Sequence, residues 1–162
     1  MTHEIILEMI RLNGSDTRRI NHALKVHSFA VCIAEHEQES ETDRLVTSLS
    51  AALHDIAIHH CEAVYGQCGG KLQEQEGPAI ARPLLEKYTD DEAIIGRVCA
   101  IIAHHHTYKG FDDACHQALI EADFLVNFDE GEFERPAFEA AVHKHFQTNT
   151  GKELARVMFG VG

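Results

Sequence analysis

The sequence predicts an all-α protein, a single-domain helical bundle of about six to eight helices that spans residues 1–162. Two observations predict this class. Apolar residues recur at the three- and four-residue spacing of amphipathic helices, and no polar–apolar alternation is long enough for a strand. The chain has 162 residues, 44% of them hydrophobic, so a single core is sufficient and neither a disulfide nor a metal is needed for folding.

The first three predicted helices each have a recognisable start, stop or apolar face. The first runs from Thr2 to about Asn13, where Asn13-Gly14 ends it. The second runs from about Asp16 to Gln38, and its inward face is an apolar stripe: Val26, Phe29, Ala30 and Ile33. The third begins at the capping sequence 40–43 and continues to about Ile58.

The later helices are bounded by glycine, proline and capping residues. The glycine-rich stretch 65–71 is either a substrate-facing loop or a tight connection, and a fourth helix follows from about Leu72 to Tyr88, kinked near its prolines. A capping box at 89–92 opens a fifth helix that reaches His104 or His105. A sixth covers Phe111 to Asp129, and one or two more occupy 134–159, broken at 149–151.

Charge and hydropathy exclude several classes of partner. Fourteen Lys and Arg against 26 Asp and Glu give a net charge of −12, which disfavours nucleic-acid and membrane-surface binding. No stretch approaches the about 18 apolar residues of a membrane helix, and Glu4 and Glu8 interrupt the region where a signal peptide needs an apolar run. We therefore expect a cytoplasmic protein that could form a homodimer.

Histidine is abnormally frequent, with 13 residues, and directs the search for a site. His22 shares the inward face of the second helix, whereas His27 lies about 140° further around it. His54-Asp55 ends the apolar stripe of the third helix, and Asp123 lies on the apolar face of the sixth. Any one of these alone is more often a hydrogen-bonded core residue, but two imidazoles and two carboxylates together favour a divalent-metal site.

The same residues carry a resemblance to a known family. His22 has Arg19 three residues before it and Val26 four after it, and the adjacent His54-Asp55 and then Asp123 follow along the chain. This ordered set resembles the H…HD…D signature of the HD-domain superfamily of metal-dependent phosphohydrolases. It spans about 16–129 and implies an HD-domain-like fold, with the helices of 134–159 added after it.

The resemblance implies a metal-dependent phosphohydrolase that acts on a small phosphorylated metabolite or nucleotide by attack of a metal-bound hydroxide. The implied metal ligands are four residues: His22, His54, Asp55 and Asp123. Asp55 is also placed to orient or deprotonate the water, and His104 or His105 could protonate the leaving oxygen. The cofactor is then a divalent ion, one of Mn, Fe, Zn, Ni, Co or Mg.

The number of metals depends on a departure from the family pattern. Binuclear members place a histidine before a helical glycine, where this chain has Gln73 before Gly77. We therefore expect one metal per chain, with a second as the alternative, His104 and His105 lining the cleft and His106 in solvent. Two other functions stay open: a di-iron oxygenase of the same superfamily, and a non-catalytic metal- or ligand-binding regulatory module.

Overall fold

A computed structural model describes residues 1–37 and 40–162, which contain nine helices and no strand. The helices are α1 (Thr2–Asn13), α2 (Thr17–His36), α3 (Glu41–Leu53), α4 (Ile58–Tyr65), α5 (Gly70–Leu85), α6 (Glu92–Ile102), α7 (Ala114–Asp129), α8 (Arg135–His145) and α9 (Asn149–Phe159). The all-α class is confirmed. The described part of the chain holds one helix more than the upper expectation of eight, because the short α4 follows α3 separately.

The predicted starts of the first helices are reproduced by the caps. The Asp16 side chain accepts the Arg19 backbone N–H at the start of α2, and Ser40 accepts that of Asp43 at the start of α3. The predicted end of the second helix, Gln38, lies outside the described residues, and α2 ends at His36.

The predicted extension of the third helix to Ile58 is wrong. Helix α3 ends at Leu53, and the next residues form a turn in which Ile56 N–H bonds the Leu53 carbonyl (3.0 Å) and Ile58 N–H bonds that of Asp55 (3.1 Å). These three-residue hydrogen bonds tighten the backbone beyond the α-helical pattern. The chain therefore turns at 54–57 and starts α4 at Ile58.

The fifth predicted helix, which is α6 in the structure, is also shorter than predicted. It begins after Asp91, whose carboxylate accepts two backbone N–H groups, rather than at a capping box from Thr89, and it ends at Ile102. His104 N–H then bonds the Ile101 carbonyl at 3.0 Å, which forms a second tight turn. The structure thus places a histidine-bearing turn after α3 and another after α6.

Two other boundaries differ. The sixth predicted helix, α7, begins at Ala114 because Asp113 caps it, and the fourth, α5, covers 70–85. The predicted break at 149–151 is the first turn of α9, since Thr148 caps this helix by accepting the Gly151 N–H. The chain breaks instead at 146–148.

The core surrounds α2, which packs against α3 and α7. One hydrophobic cluster joins these three helices with α1, α5 and α6, and a second joins the end of α7 with α8 and α9. Leu154 of α9 contacts both clusters. Across the described ranges, no helix is long and apolar enough to cross a membrane.

Candidate metal centre

The first site residue, His22, projects from α2 toward two carboxylates. Its Nε2 atom lies 3.2 Å from Asp123 Oδ1 on α7 and 3.6 Å from Asp55 Oδ2. His27 lies elsewhere, with its Nε2 atom 2.9 Å from the Ser48 hydroxyl. The two histidines of α2 therefore face different surroundings, as the helical spacing predicts.

The tight turn after α3 brings the adjacent pair His54-Asp55 into the same site. His54 Nδ1–H donates to the Ala51 carbonyl at 2.9 Å, and Nε2 lies 3.5 Å from Asp55 Oδ2 and 3.8 Å from Asp123 Oδ1. His54 is 1% exposed, and its Nε2 atom has no hydrogen-bond partner among the described residues. The four predicted ligands therefore lie together.

The tight turn after α6 contributes a second group of potential ligands. His105 Nδ1–H donates to the Ile102 carbonyl at 2.6 Å, and its Nε2 atom lies 3.6 Å from Asp55 Oδ1. The expectation that His106 lies in solvent is not met. Its ring packs against that of His105, and its Nε2 atom is buried without a partner in the described part of the chain.

Residues of α5 hold this turn in place. Glu74 accepts hydrogen bonds from the His106 backbone N–H (3.0 Å) and the Thr107 hydroxyl (2.9 Å). Gln73 is buried, with Oε1 3.4 Å from His105 Nε2. Gly70, the first residue of α5, lies so close to the His106 ring that a side chain there would overlap it. The stretch 65–71 connects α4 to α5 and makes room for His106.

His104 does not join the cluster, in contrast to its predicted role in the cleft. Its ring stacks on Phe111 with centroids 4.4 Å apart, and Nδ1–H donates to the Ala100 carbonyl at 2.7 Å. The prediction extended the helix through 104. Because α6 ends at Ile102, the following turn rotates His104 away and His106 inward.

The pKa values of the histidines at this site shift in opposite directions. Burial lowers the pKa of His54, and burial together with His105 lowers that of His106 to about 4. Both rings are therefore neutral near pH 7. Burial also acts to lower the pKa of His22, but the nearby carboxylates, Asp123 first, outweigh it and raise the pKa to about 9.

The carboxylate of Asp55 stays ionised. Burial raises the pKa of Asp55, yet the surrounding imidazoles of His54, His105 and His22 outweigh burial and hold it well below its usual range. Its Oδ2 atom faces the rings of His22 and His54, and its Oδ1 atom faces that of His105. Asp55 thus has His22 and His54 on one side and His105 on the other.

The donor atoms fit divalent cations. His22, His54 and Asp123 form one group and Asp55, His105 and His106 another, with the donor atoms of each group within 4.8 Å of one another. Each group contains one buried ring nitrogen that has no partner among residues 1–37 and 40–162, His54 Nε2 in the first and His106 Nε2 in the second. Such an atom is costly unless something binds it, and a mixed N/O donor set suits Mn, Fe or Zn.

A cavity of about 140 Å³ opens onto this centre. His22 and Asp55 line it, as do two cations at the start of α2, Arg18 and Arg19. Arg19 is held by Asp16 (2.9 Å) and Glu62 (2.6 Å), and Arg18 pairs with Glu132 at the rim. The cavity is large enough to admit a phosphoryl group.

Two residues that the sequence pattern did not single out contact the candidate ligands. Asn127 Nδ2–H donates to Asp123 Oδ1 at 2.8 Å, and Glu130 Oε2 lies 2.9 Å from His22 Nδ1. They follow Asp123 by four and seven residues, the spacing of one helical face. That spacing is the signal that could have identified them.

Comparisons with known proteins do not name a family for this chain. No family model matches it, and no match was found among curated proteins or among solved structures.

Proposed function

We propose that this protein is a metal-dependent phosphohydrolase that acts on a small phosphorylated metabolite or nucleotide. The observation that carries the proposal is the pair of adjoining His/Asp groups, each with a buried ring nitrogen that lacks a partner in the described chain. The resemblance of its motifs to the HD-domain superfamily supports the same activity.

The residues that would hold cations are the two groups. His22, His54 and Asp123 would hold the first, and Asp55, His105 and His106 the second. The sequence favours one metal because of Gln73, but the second group does not require that residue, so we propose two. When bound, a divalent cation lowers the pKa of coordinated water and withdraws charge from a phosphoryl oxygen.

The chain's own residues supply orientation and charge. Asp55, ionised and 24% exposed at its side chain, can accept a hydrogen bond from the attacking water and so orient it. Arg18 and Arg19 offer guanidinium donors to phosphate oxygens at the cavity, which a protein of net charge −12 needs locally.

His105 is better suited to holding a cation than to donating a proton. The ring is 2% exposed, and the residue is absent from the lining of the 140 Å³ cavity. Its Nδ1–H is held by the Ile102 carbonyl, so Nε2 is the atom that faces Asp55. We therefore assign it to the second group of ligands.

The experiment combines metal analysis with a panel of phosphate esters. Wild-type protein purified without chelator should contain a divalent metal and release phosphate from at least one phosphomonoester or nucleotide. His22→Ala should lose metal and activity, whereas His27→Ala, the matched control on the same helix, should keep both. Equal losses in the two variants, or metal-loaded protein inactive on the whole panel, would contradict the proposal.

A di-iron oxygenase is the second candidate, and one observation favours it. A di-iron enzyme needs a second metal site, which Gln73 made unexpected, and Asp55, His105 and His106 form a second donor group without that residue. Iron-loaded protein that consumes dioxygen with an organic substrate, and releases no phosphate from esters, would favour the oxygenase.

A further inference from the structure

Glu130 contacts a metal-ligand histidine without belonging to either donor group. It stands at the C-cap of α7, and its side chain is only 16% exposed. Glu130 Oε2 lies 2.9 Å from His22 Nδ1, on the side of the ring opposite the atom that faces Asp123. The two nitrogens of His22 therefore have different partners.

The bond to Glu130 determines that Nδ1 of the His22 ring carries a proton. An ionised carboxylate only accepts hydrogen bonds, so His22 Nδ1 must carry the proton of this bond. Nε2, which faces the Asp123 and Asp55 carboxylates, is then the nitrogen on which a cation would replace a proton. A histidine ligand whose other nitrogen donates to a carboxylate is both oriented and made more basic.

Lys25 holds the carboxylate in position. Its Nζ atom lies 3.1 Å from Glu130 Oε1 and 3.3 Å from Asp129 Oδ2. Lys25 follows His22 by three residues on α2, so one turn of α2 contacts both oxygens of Glu130. The C-terminal end of α7 is thus bonded to the turn of α2 that carries His22.

We propose that Glu130 is a positioning residue, which sets the tautomer and orientation of His22 so that Nε2 binds a divalent cation. This inference rests on the metal centre proposed above. The contact of Glu130 with His22, between α7 and α2, would then raise the affinity of the site for the cation.

Zinc binding to the wild type and three variants tests the assignment. Glu130→Gln keeps a neutral acceptor and should weaken Zn²⁺ affinity about tenfold, and Glu130→Leu removes the acceptor and should weaken it about 100-fold. Asp129→Asn is the matched control, because it removes one negative charge from the adjacent residue and from the Lys25 contact but does not touch His22. It should change affinity less than about threefold.

A spectroscopic measurement separates positioning from a merely structural role. In zinc-loaded, ¹⁵N-labelled wild type, His22 Nδ1–H should give a proton signal protected from exchange with water. Glu130→Leu should lose that protection and Asp129→Asn should keep it. Thermal unfolding of the metal-free proteins verifies that each variant is folded.

Each remaining outcome overturns a specific claim. Zinc affinity of Glu130→Leu within threefold of wild type would refute the positioning role. Loss of one whole equivalent of zinc in both Glu130 variants would also refute it, since Glu130 would then be a ligand. Failure of the wild type to bind zinc would overturn the proposed metal centre, and this inference with it.

Discussion

Replacing Gly70 with alanine should disable one donor group and leave the other intact. A Cβ atom at Gly70 would lie 2.7 Å from both Cγ and Cδ2 of His106. Non-bonded carbons settle about 3.5–4.0 Å apart, so the ring must retreat by about 1 Å. Metal–ligand distances tolerate only about 0.2 Å. The affinity of the second group should therefore fall by about 100-fold.

Calorimetric titration with Mn²⁺ measures this effect, and Gly69→Ala is the matched control. Gly69 has φ −112°, which any residue adopts, and an added Cβ would have no atom of the described residues within 4 Å beyond its own chain neighbours. Wild type and Gly69→Ala should bind two cations, whereas Gly70→Ala should bind one with unchanged affinity. Two unaltered binding events in a folded Gly70→Ala protein would refute the assignment of His106 as a ligand.

Two further predictions concern stability. Asp113→Asn should lower the free energy of unfolding by about 1.5 kcal/mol at pH 7. Burial raises the pKa of Asp113, but hydrogen bonds led by those from Arg97 hold it below its usual value, so in urea unfolding the deficit should shrink as pH falls below about 4. A deficit equal at pH 7 and pH 3 would contradict this. Gly151→Ala should destabilise by about 2 kcal/mol, because its Cβ would overlap the buried Glu121 carboxylate, whereas Gly96→Ala, with open space around it, should stabilise by about 0.5–1 kcal/mol. Equal melting temperatures of these two variants would refute the packing argument.

Starts of helices were more predictable from sequence than ends. Ser40 and Asp16 accept backbone N–H groups a few residues away, so a local pattern is enough to identify them. The ends of α3 and α6 lie in apolar stripes without glycine or proline, so no local breaker marks them, and the turn after α6 is bonded by a residue distant in sequence. Glu74, which bonds the turn at His106, comes from another helix.

The contrast between local patterns and distant contacts also explains which site residues were predicted. Asp123 lies within a regular helix, where a 3.6-residue period locates its face, and His22 does too. His104 and His106 lie just beyond a helix, where extrapolating that period exchanges the inward and outward residues. Asn127 and Glu130 look like ordinary polar residues until their partners are known.

Anomalous diffraction from crystals loaded with Mn²⁺ would show whether the two donor groups bind cations. We expect two peaks, one among His22, His54 and Asp123 and the other among Asp55, His105 and His106. Peaks only at surface carboxylates, with neither donor group occupied in a correctly folded protein, would contradict this expectation.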